Sequence, residues 1–260
     1  MKKINTLVII LVLLFAASGL KSQTFAVPKW NIHFHGGYTL TLPDLKGTFP
    51  ADLESGKNPT PYFVNNGFNA GADIKYYIDK KSTFGLILSL TYTGLSSGDI
   101  GVSNLDSNSI LGIGSGTWRS NMNIFTIGVG AEYDFAPKRP ANPFVNAQFT
   151  TNIIGGNTKF DQSGGFVESY SRDMSSAVRF GAMFAAGVDV KLSNNVGVVI
   201  GGRYSFANLF GKDSTESTST TYGLNDKETT TMKSRKLAYL QFFAGVSLYF
   251  GQPKRPLKKK

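Results

Sequence analysis

The sequence contains no cysteine, and this absence excludes several kinds of chemistry. It rules out a disulfide framework, a thiolate metal site, a cysteine nucleophile and a cysteine-linked lipid anchor. Charge is also scarce, because Asp, Glu, Lys and Arg make up 17% of the chain, whereas about a quarter is usual in soluble domains. Gly and aromatic residues are abundant, with 29 Gly, 20 Phe and 11 Tyr among 260 residues. The composition fits one all-β domain and argues against disorder.

The longest apolar run spans residues 7–17, with Lys2 and Lys3 before it and the small residues Ser18 and Gly19 after it. A charged start, a short apolar stretch and a small-residue region form the pattern of a secretory signal. The run of eleven residues is too short to span a bilayer as a helix, which takes about 20 residues. We therefore predict a cleaved signal peptide over residues 1–22, with an uncleaved anchor as the alternative.

The net charge of +10 is concentrated at the two ends of the chain. Eight of the 27 basic residues lie in residues 1–22 and 254–260, which leaves 19 basic against 17 acidic residues in the body. A nucleic-acid-binding face needs clustered Lys and Arg on the folded surface, so nucleic acid is not an expected partner. Residues 251–260 are interpreted as a solvated basic tail, with binding to anionic lipid headgroups as the alternative.

Between residues 23 and 250, apolar and polar residues alternate with a period of two. Trp30, Ile32 and Phe34 share one parity, whereas His33 and His35 share the other. Such alternation indicates a strand with one apolar and one polar face. Eight segments of this kind begin near Trp30, Phe68, Phe84, Phe125, Val145, Val178, Val196 and Ala238.

The connections between these segments alternate in length. Residues 43–66, 95–120, 154–174 and 207–235 form long connections, and residues 79–82, 136–142 and 193–195 form short ones. If successive strands are antiparallel, all the long connections lie at one end. An even number of strands of about ten residues, with short turns at one end, is typical of outer-membrane barrels. The sequence predicts an all-β, eight-stranded antiparallel up-and-down transmembrane β-barrel over residues 23–250.

Charged residues test this assignment of faces independently. Nearly all of those in the predicted strands occupy positions on the polar face, and Lys236 is the exception. The candidate lumen-facing residues are His33, His35, Asp73, Lys75, Glu132, Arg179, Asp189 and Arg203. A soluble barrel would carry its charges outside and its apolar residues inside. On a membrane barrel, a Lys or Arg facing lipid costs about 2–4 kcal/mol at mid-bilayer. The pattern therefore favours a membrane barrel with a polar lumen.

From about Phe25 to Phe250 the chain resembles the small outer-membrane β-barrels of Gram-negative bacteria, the porin-like group with OmpA- and OmpX-type members. The alternating, aromatic-ended last segment up to Phe250 carries much of this resemblance, although residues 251–260 follow where many members end on the aromatic. The resemblance implies an outer-membrane location with both termini periplasmic. It also implies contact with outer-membrane lipid and lipopolysaccharide, and recognition of the last strand by the barrel-assembly machinery.

An eight-stranded barrel is just wide enough to be filled by its own side chains, so we expect a plugged lumen that includes Met183 and Tyr239. Our main hypothesis is a non-enzymatic structural or surface-interaction role carried by the long loops. The alternatives are a narrow porin-like channel and a lipid-modifying barrel enzyme that uses His33 and His35. We recognise no catalytic, metal-binding or cofactor motif.

Two further expectations concern strand ends and loops. Aromatic residues near strand ends fit interfacial girdles; these are Trp30, Phe84, Phe135, Phe144, Tyr204 and Phe206. The glycines of 112–116 and the pair Gly155 and Gly156 are expected in loops. The Ser- and Thr-rich stretches 213–221 and 229–231 are expected to be hydrated, with loop-tip adhesion as the alternative.

Overall fold

A computed structural model describes residues 25–46, 64–105, 114–165, 169–213, 221–227 and 234–252. Within these ranges one short helix, α1 (Pro43–Lys46), accompanies ten strands. The strands are β1 (Trp30–Thr41), β2 (Gly67–Tyr77), β3 (Phe84–Ser96), β4 (Ile100–Leu105), β5 (Gly114–Asp134), β6 (Ala141–Gly165), β7 (Tyr170–Lys191), β8 (Val196–Phe210), β9 (Thr221–Tyr222) and β10 (Ala238–Phe250). The described residues hold no helix with the length and hydropathy of a membrane span. The predicted signal peptide, most of the basic tail and the stretches 214–220 and 228–233 lie outside the described residues.

Eight of the described strands close into a ring. Each strand pairs antiparallel with its neighbour in the order β1, β2, β3, β5, β6, β7, β8, β10, and β10 pairs with β1 from Trp30↔Phe250 to Thr41↔Tyr239. The short strand β4 pairs with β5 beyond the end of β3, on the same edge, and β9 pairs in parallel with β7. The up-and-down eight-stranded barrel predicted from the sequence is confirmed.

The two ends of the barrel differ. The short connections 78–83, 135–140 and 192–195 share one end with Trp30 and Phe250; we call it the turn end. Asp79 shows why such a turn forms, since its carboxylate accepts hydrogen bonds from the backbone N–H groups of Lys81, Thr83 and Phe84. The other end, which we call the loop end, carries the connections 42–66, 97–113, 166–169 and 211–237.

The outer surface of the ring carries an apolar belt made of every second residue of each strand. On β5 the outward residues of the belt run from Phe125 to Tyr133, and Phe135 follows in the turn. Val129, in the middle of this series, is 60% exposed. Ten residues at about 3.3 Å each, on a tilted strand, give a height of about 25 Å, the thickness of the apolar band of outer-membrane barrels.

Strands β5, β6 and β7 continue past the belt toward the loop end, and there the polarity reverses. The outward residues become polar, as with Asn123 and Lys159, while Met122, Trp118 and Phe160 face inward and are buried. We call this part the loop-end extension. Its apolar inside and polar outside are those of a sheet in water.

The loop-end extension corrects two of the predicted loops. Much of the predicted connections 95–120 and 154–174 is strand, and only residues 166–169 separate β6 from β7. Gly114, Gly116, Gly155 and Gly156 therefore lie in strands β5 and β6, contrary to the loop assignment, and Gly112 lies outside the described residues. The strands were missed because their outward face is no longer apolar, and a register shift between Ile154 and Gly156 also interrupts the alternation.

Candidate functional site

All eight predicted lumen residues are buried on the inside of the ring, at 1–6% exposure. They do not form one site. Seven of them divide into three groups joined by ion pairs or short contacts, and the eighth, Arg179, lies apart. A fourth group, at the loop end, pairs a strand residue with a loop residue.

Asp189 of β7, near the turn end, is the centre of the first group. Its carboxylate accepts hydrogen bonds from Ser247 Oγ at 2.7 Å, Tyr249 OH at 2.6 Å and Asn31 Nδ2 at 3.1 Å. His33 Nε2 lies 3.4 Å from Asp189 Oδ2. Three neutral donors and a histidine thus satisfy one buried carboxylate, as a buried charge requires.

The second group is an ion pair between Lys75 of β2 and Glu132 of β5. Asn146 Nδ2 donates a hydrogen bond of 3.0 Å to Glu132, and the Lys75 ammonium lies 4.3 Å from the centre of the Phe144 ring. The Phe144 ring fits because residue 187 on β7 is glycine: a Cβ there would lie 2.7 Å from Phe144 Cζ. The ion pair and the ring are buried together inside the ring of strands.

Phe144 is the one girdle assignment that the structure contradicts. The ring is 3% exposed and packs in the lumen beside Val199 and Phe243. The parity of β6 accounts for this, since Val145 faces outward and its neighbour must face inward. Its position near a strand end, which suggested a girdle, is not informative about the face.

The third group joins Arg203 of β8 to Asp73 of β2 across the barrel. Arg203 Nη2 donates to both carboxylate oxygens of Asp73, at 3.0 and 3.2 Å, and Nη1 donates to Thr91 Oγ1 at 3.0 Å. His35 Nε2 lies 3.4 Å from Asp73 Oδ2. The guanidinium also lies 5.0 Å from the centre of the Phe243 ring, within the range of a cation–π interaction.

The two histidines therefore have different partners. His33 lies opposite Asp73 in the β1–β2 register, yet its ring approaches Asp189, while His35 approaches Asp73. Within the described residues no group of three or more His, Asp or Glu side chains converges as metal ligands would. Each histidine acts as one member of a buried polar group.

Arg179 belongs to the fourth group, which pairs a strand with a loop. Arg179 donates to Asp226 through Nε at 2.9 Å and Nη2 at 2.8 Å, and Asn208 Nδ2 donates to the same carboxylate at 2.8 Å. Burial alone would raise the pKa of Asp226, but the hydrogen bonds from Arg179, Asn208 and the Asp213 N–H hold it below its ordinary value. Asp226 thereby anchors the connection 211–237 to the barrel wall.

Sequence reasoning missed both Asp226 and an apolar cap that closes the loop end of the lumen. The cap consists of Leu45, Val64, Leu95, Met122, Ile124, Ile154, Met174, Ala207, Tyr222, Leu224, Leu237 and Tyr239. Loops and strands contribute together: Leu45 and Leu224, for example, come from connections between ring strands and are at most 1% exposed. The double apolar steps Ile124-Phe125 and Ile153-Ile154 are the available sequence signal, because each makes both faces of a strand apolar.

The inward side chains leave little room for water. Arg203, Lys75, Met183 and Tyr239, the last two predicted as lumen fillers, are each 1% exposed. A water-filled channel would leave the side chains along its path accessible to a water-sized probe. From Asp189 near the turn end to the apolar cap at the loop end, the described lumen is packed.

Comparison with known proteins gives a family match. Residues 7–234 match the family model described as outer membrane protein beta-barrel domain. Among solved structures, Neisserial surface protein A (NspA) is 15% identical with a TM-score of 0.44, covering 85% of this chain and 97% of that chain. OprG from Pseudomonas aeruginosa is 12% identical with a TM-score of 0.44 and coverages of 88% and 99%. Ail of Yersinia pestis, in complex with the heparin analogue sucrose octasulfate, is 13% identical with a TM-score of 0.35 and coverages of 86% and 99%. Comparison with curated proteins finds no match.

Proposed function

This chain belongs to the family of outer membrane protein β-barrel domains and is an integral outer-membrane barrel. We propose that its lumen is closed and that its role is structural or a matter of surface interaction. The observation that carries the proposal is the packing of the lumen. Three groups of buried ion pairs and hydrogen bonds fill it below the apolar cap. A closed lumen leaves the loop-end surface as the part of the molecule that can meet other molecules.

The loop-end extension supports this role. Strands β5, β6 and β7 extend beyond the belt as a sheet that is polar outside and apolar inside. The Asp226 anchor holds the connection 211–237 against this sheet. Surfaces built on a rigid scaffold are where binding residues concentrate. We therefore assign surface interaction to the loop end, and contact with outer-membrane lipid and lipopolysaccharide to the belt and its edge.

Orientation and export are part of the same proposal. The loop end faces the cell exterior and both termini face the periplasm, after removal of residues 1–22 as a signal peptide. The last strand, which ends at Phe250 and pairs with β1, is the segment offered to the barrel-assembly machinery. The lack of cysteine makes orientation testable. A cysteine at Ser171, exposed near the loop end, should react with an impermeant maleimide on intact cells, and one at Lys138 in a turn should not.

Single-channel recording of the folded barrel in a planar bilayer tests the closed lumen. Wild type is expected to be silent. The double variant Arg203→Ala, Tyr239→Ala, which truncates two fully buried lumen side chains, should leak and serves as the positive control. Uniform current steps from the wild type, with its folding verified by the heat-dependent gel shift, would establish the narrow channel instead.

A further inference from the structure

A depression of about 350 Å³ lies on the outer wall of the barrel, where the apolar belt gives way to the loop-end extension. Its polar lining consists of Asn66, Asn121, Asn123, Asn157 and Ser96. We call it the asparagine shelf. Strands β2, β3, β5 and β6 and the residue just before β2 contribute to it.

The Phe68 ring forms the side of the shelf that faces the belt, and the Tyr92 ring lies beside it. Phe68 is 56% exposed and its ring lies against Gly94, where a Cβ would come within 2.8 Å of Phe68 Cε1. The Tyr92 ring is 5.8 Å from the Phe68 ring, centre to centre. The glycine lets the Phe68 ring lie along the wall, so the shelf has an apolar face beside its amides.

The amides of the shelf hold one another in place. Asn121 Nδ2 donates to Asn157 Oδ1 at 3.0 Å, and Tyr92 OH donates to Asn123 Oδ1 at 2.8 Å. Within the described residues, the amide N–H groups of Asn123 and Asn157 and the carbonyl oxygen of Asn121 have no protein partner. Fixed donors and acceptors are thus presented outward, and no charged side chain lines the depression.

We propose that the asparagine shelf binds the sugar headgroup of a glycolipid in the outer leaflet. A sugar ring offers hydroxyl groups for fixed amides and C–H faces for aromatic rings, and it needs no charge partner. The acyl chains would lie along the belt directly below, over Tyr92 and Phe125, which are paired in the β3–β5 register. The inference rests on the proposed function in one respect, since it requires the loop end to face the outer leaflet.

Binding can be tested on the purified, folded barrel in zwitterionic micelles. The probe is a short-chain alkyl glycoside below its critical micelle concentration, and the readout is the side-chain amide resonances of the shelf. We expect saturable shifts. In the variant Asn123→Leu, Asn157→Leu the affinity should fall at least about tenfold, the effect of losing two neutral hydrogen bonds. Asn195→Leu, which removes an exposed amide at the turn end, should bind like wild type.

A parallel titration with the same sugar lacking its alkyl chain separates the two sources of a sugar ligand. Weaker binding of the free sugar supports a glycolipid, whereas equal binding identifies a soluble glycan and overturns the lipid assignment. Unchanged affinity in the double variant, with its fold verified by the gel shift, overturns the shelf itself. Because micelles need no orientation, these outcomes are independent of the labelling and conductance experiments.

Discussion

The ion pair between Arg203 and Asp73 makes a quantitative prediction about what holds the lumen together. Arg203→Met removes the guanidinium and leaves the Asp73 carboxylate buried, with His35 Nε2 as its remaining polar neighbour at 3.4 Å. Breaking a buried pair from one side costs about 3–5 kcal/mol, because an uncompensated charge stays behind. Asp73→Asn should cost a similar amount, since it leaves Arg203 with only Thr91 and the face of Phe243.

The double variant discriminates a specific pair from general damage to the packing. If the two losses were independent they would add, but removing both charges leaves neither partner as an unpaired buried ion. We expect the double variant to be no less stable than either single one, which corresponds to a coupling free energy of about 3 kcal/mol or more. Urea titration in micelles gives the free energy of unfolding. Fluorescence follows it, since Trp118 is buried and Trp30 lies 44% exposed on the belt.

A matched cycle serves as the control. Asp189 is equally buried but bonds to Asn31, Ser247 and Tyr249 at the turn end. The losses in unfolding free energy caused by Asp189→Asn and by Arg203→Met should therefore add in the double variant, within about 0.5 kcal/mol. A coupling below about 0.5 kcal/mol between Asp73 and Arg203 themselves would refute the view that ion pairs across the barrel are structural elements of the plug.

Three further predictions concern the lumen, the belt and the loop. Phe144→Ala should lower the free energy of unfolding by about 3–5 kcal/mol as a buried ring is lost, and Phe135→Ala at the belt edge by clearly less; equal losses in urea titrations would contradict the inward position of Phe144. Val129→Arg should impair insertion into vesicles by about 2–4 kcal/mol. Thr117→Arg, on the same face of β5 but beyond the belt, should insert normally in the gel-shift assay. Equal yields of the two variants would show that the belt is not where we assign it. Asp226→Asn should open the connection 211–237 to trypsin at neutral pH. In the wild type the pKa of Asp226 lies below its ordinary value of 3.8, so the carboxylate stays ionised and the anchor intact above about pH 4. Pepsin should therefore cut the connection 211–237 only below that pH. An Asp226→Asn variant that resists trypsin as the wild type does would refute the anchor.

The belt was predictable because one solvent acts on each face of a strand. Outside is lipid and inside is a polar lumen, so Phe125, Ile127 and Val129 alternate with polar or small residues, and parity assigns the charges of the predicted strands inward, except Lys236. The same parity also predicts the inward position of Phe144 correctly. The girdle assignment is wrong there because distance from a strand end does not determine which face a residue takes.

The loop-end extension was not predictable in the same way, because water replaces lipid on its outer face. Met122 and Phe160 become inward apolar residues while Asn123 and Lys159 face out, so the apolar parity changes within a continuous strand. On β7 a register shift also exchanges the faces: Arg179 and Met174 both point inward although they are an odd number of positions apart, five. Such an irregularity has no period that a sequence pattern can reveal.

The pairing of Arg179 with Asp226 illustrates a second limit. Both residues are visible in the sequence, but 47 positions separate them, and nothing in the composition of the loop identifies Asp226 among its neighbours as the anchor. The apolar cap is equally hard to predict, since it brings together residues from two connections, Leu45 from one and Leu224 and Leu237 from the other. Contacts between loops and strands depend on the finished ring, whereas alternation is a local property of each strand.

The closure of the ring by β1 and β10 has a consequence for biogenesis. Trp30 pairs with Phe250 across 220 residues of chain, so the first strand of the barrel to be synthesised finds one of its two partners only when the last has been made. Until then β1 has an unpaired edge, which in lipid leaves several backbone N–H and C=O groups unsatisfied and in water is open to aggregation. The barrel cannot fold progressively as the chain emerges. Delivery of the whole chain before insertion is therefore a requirement that its topology imposes on the cell.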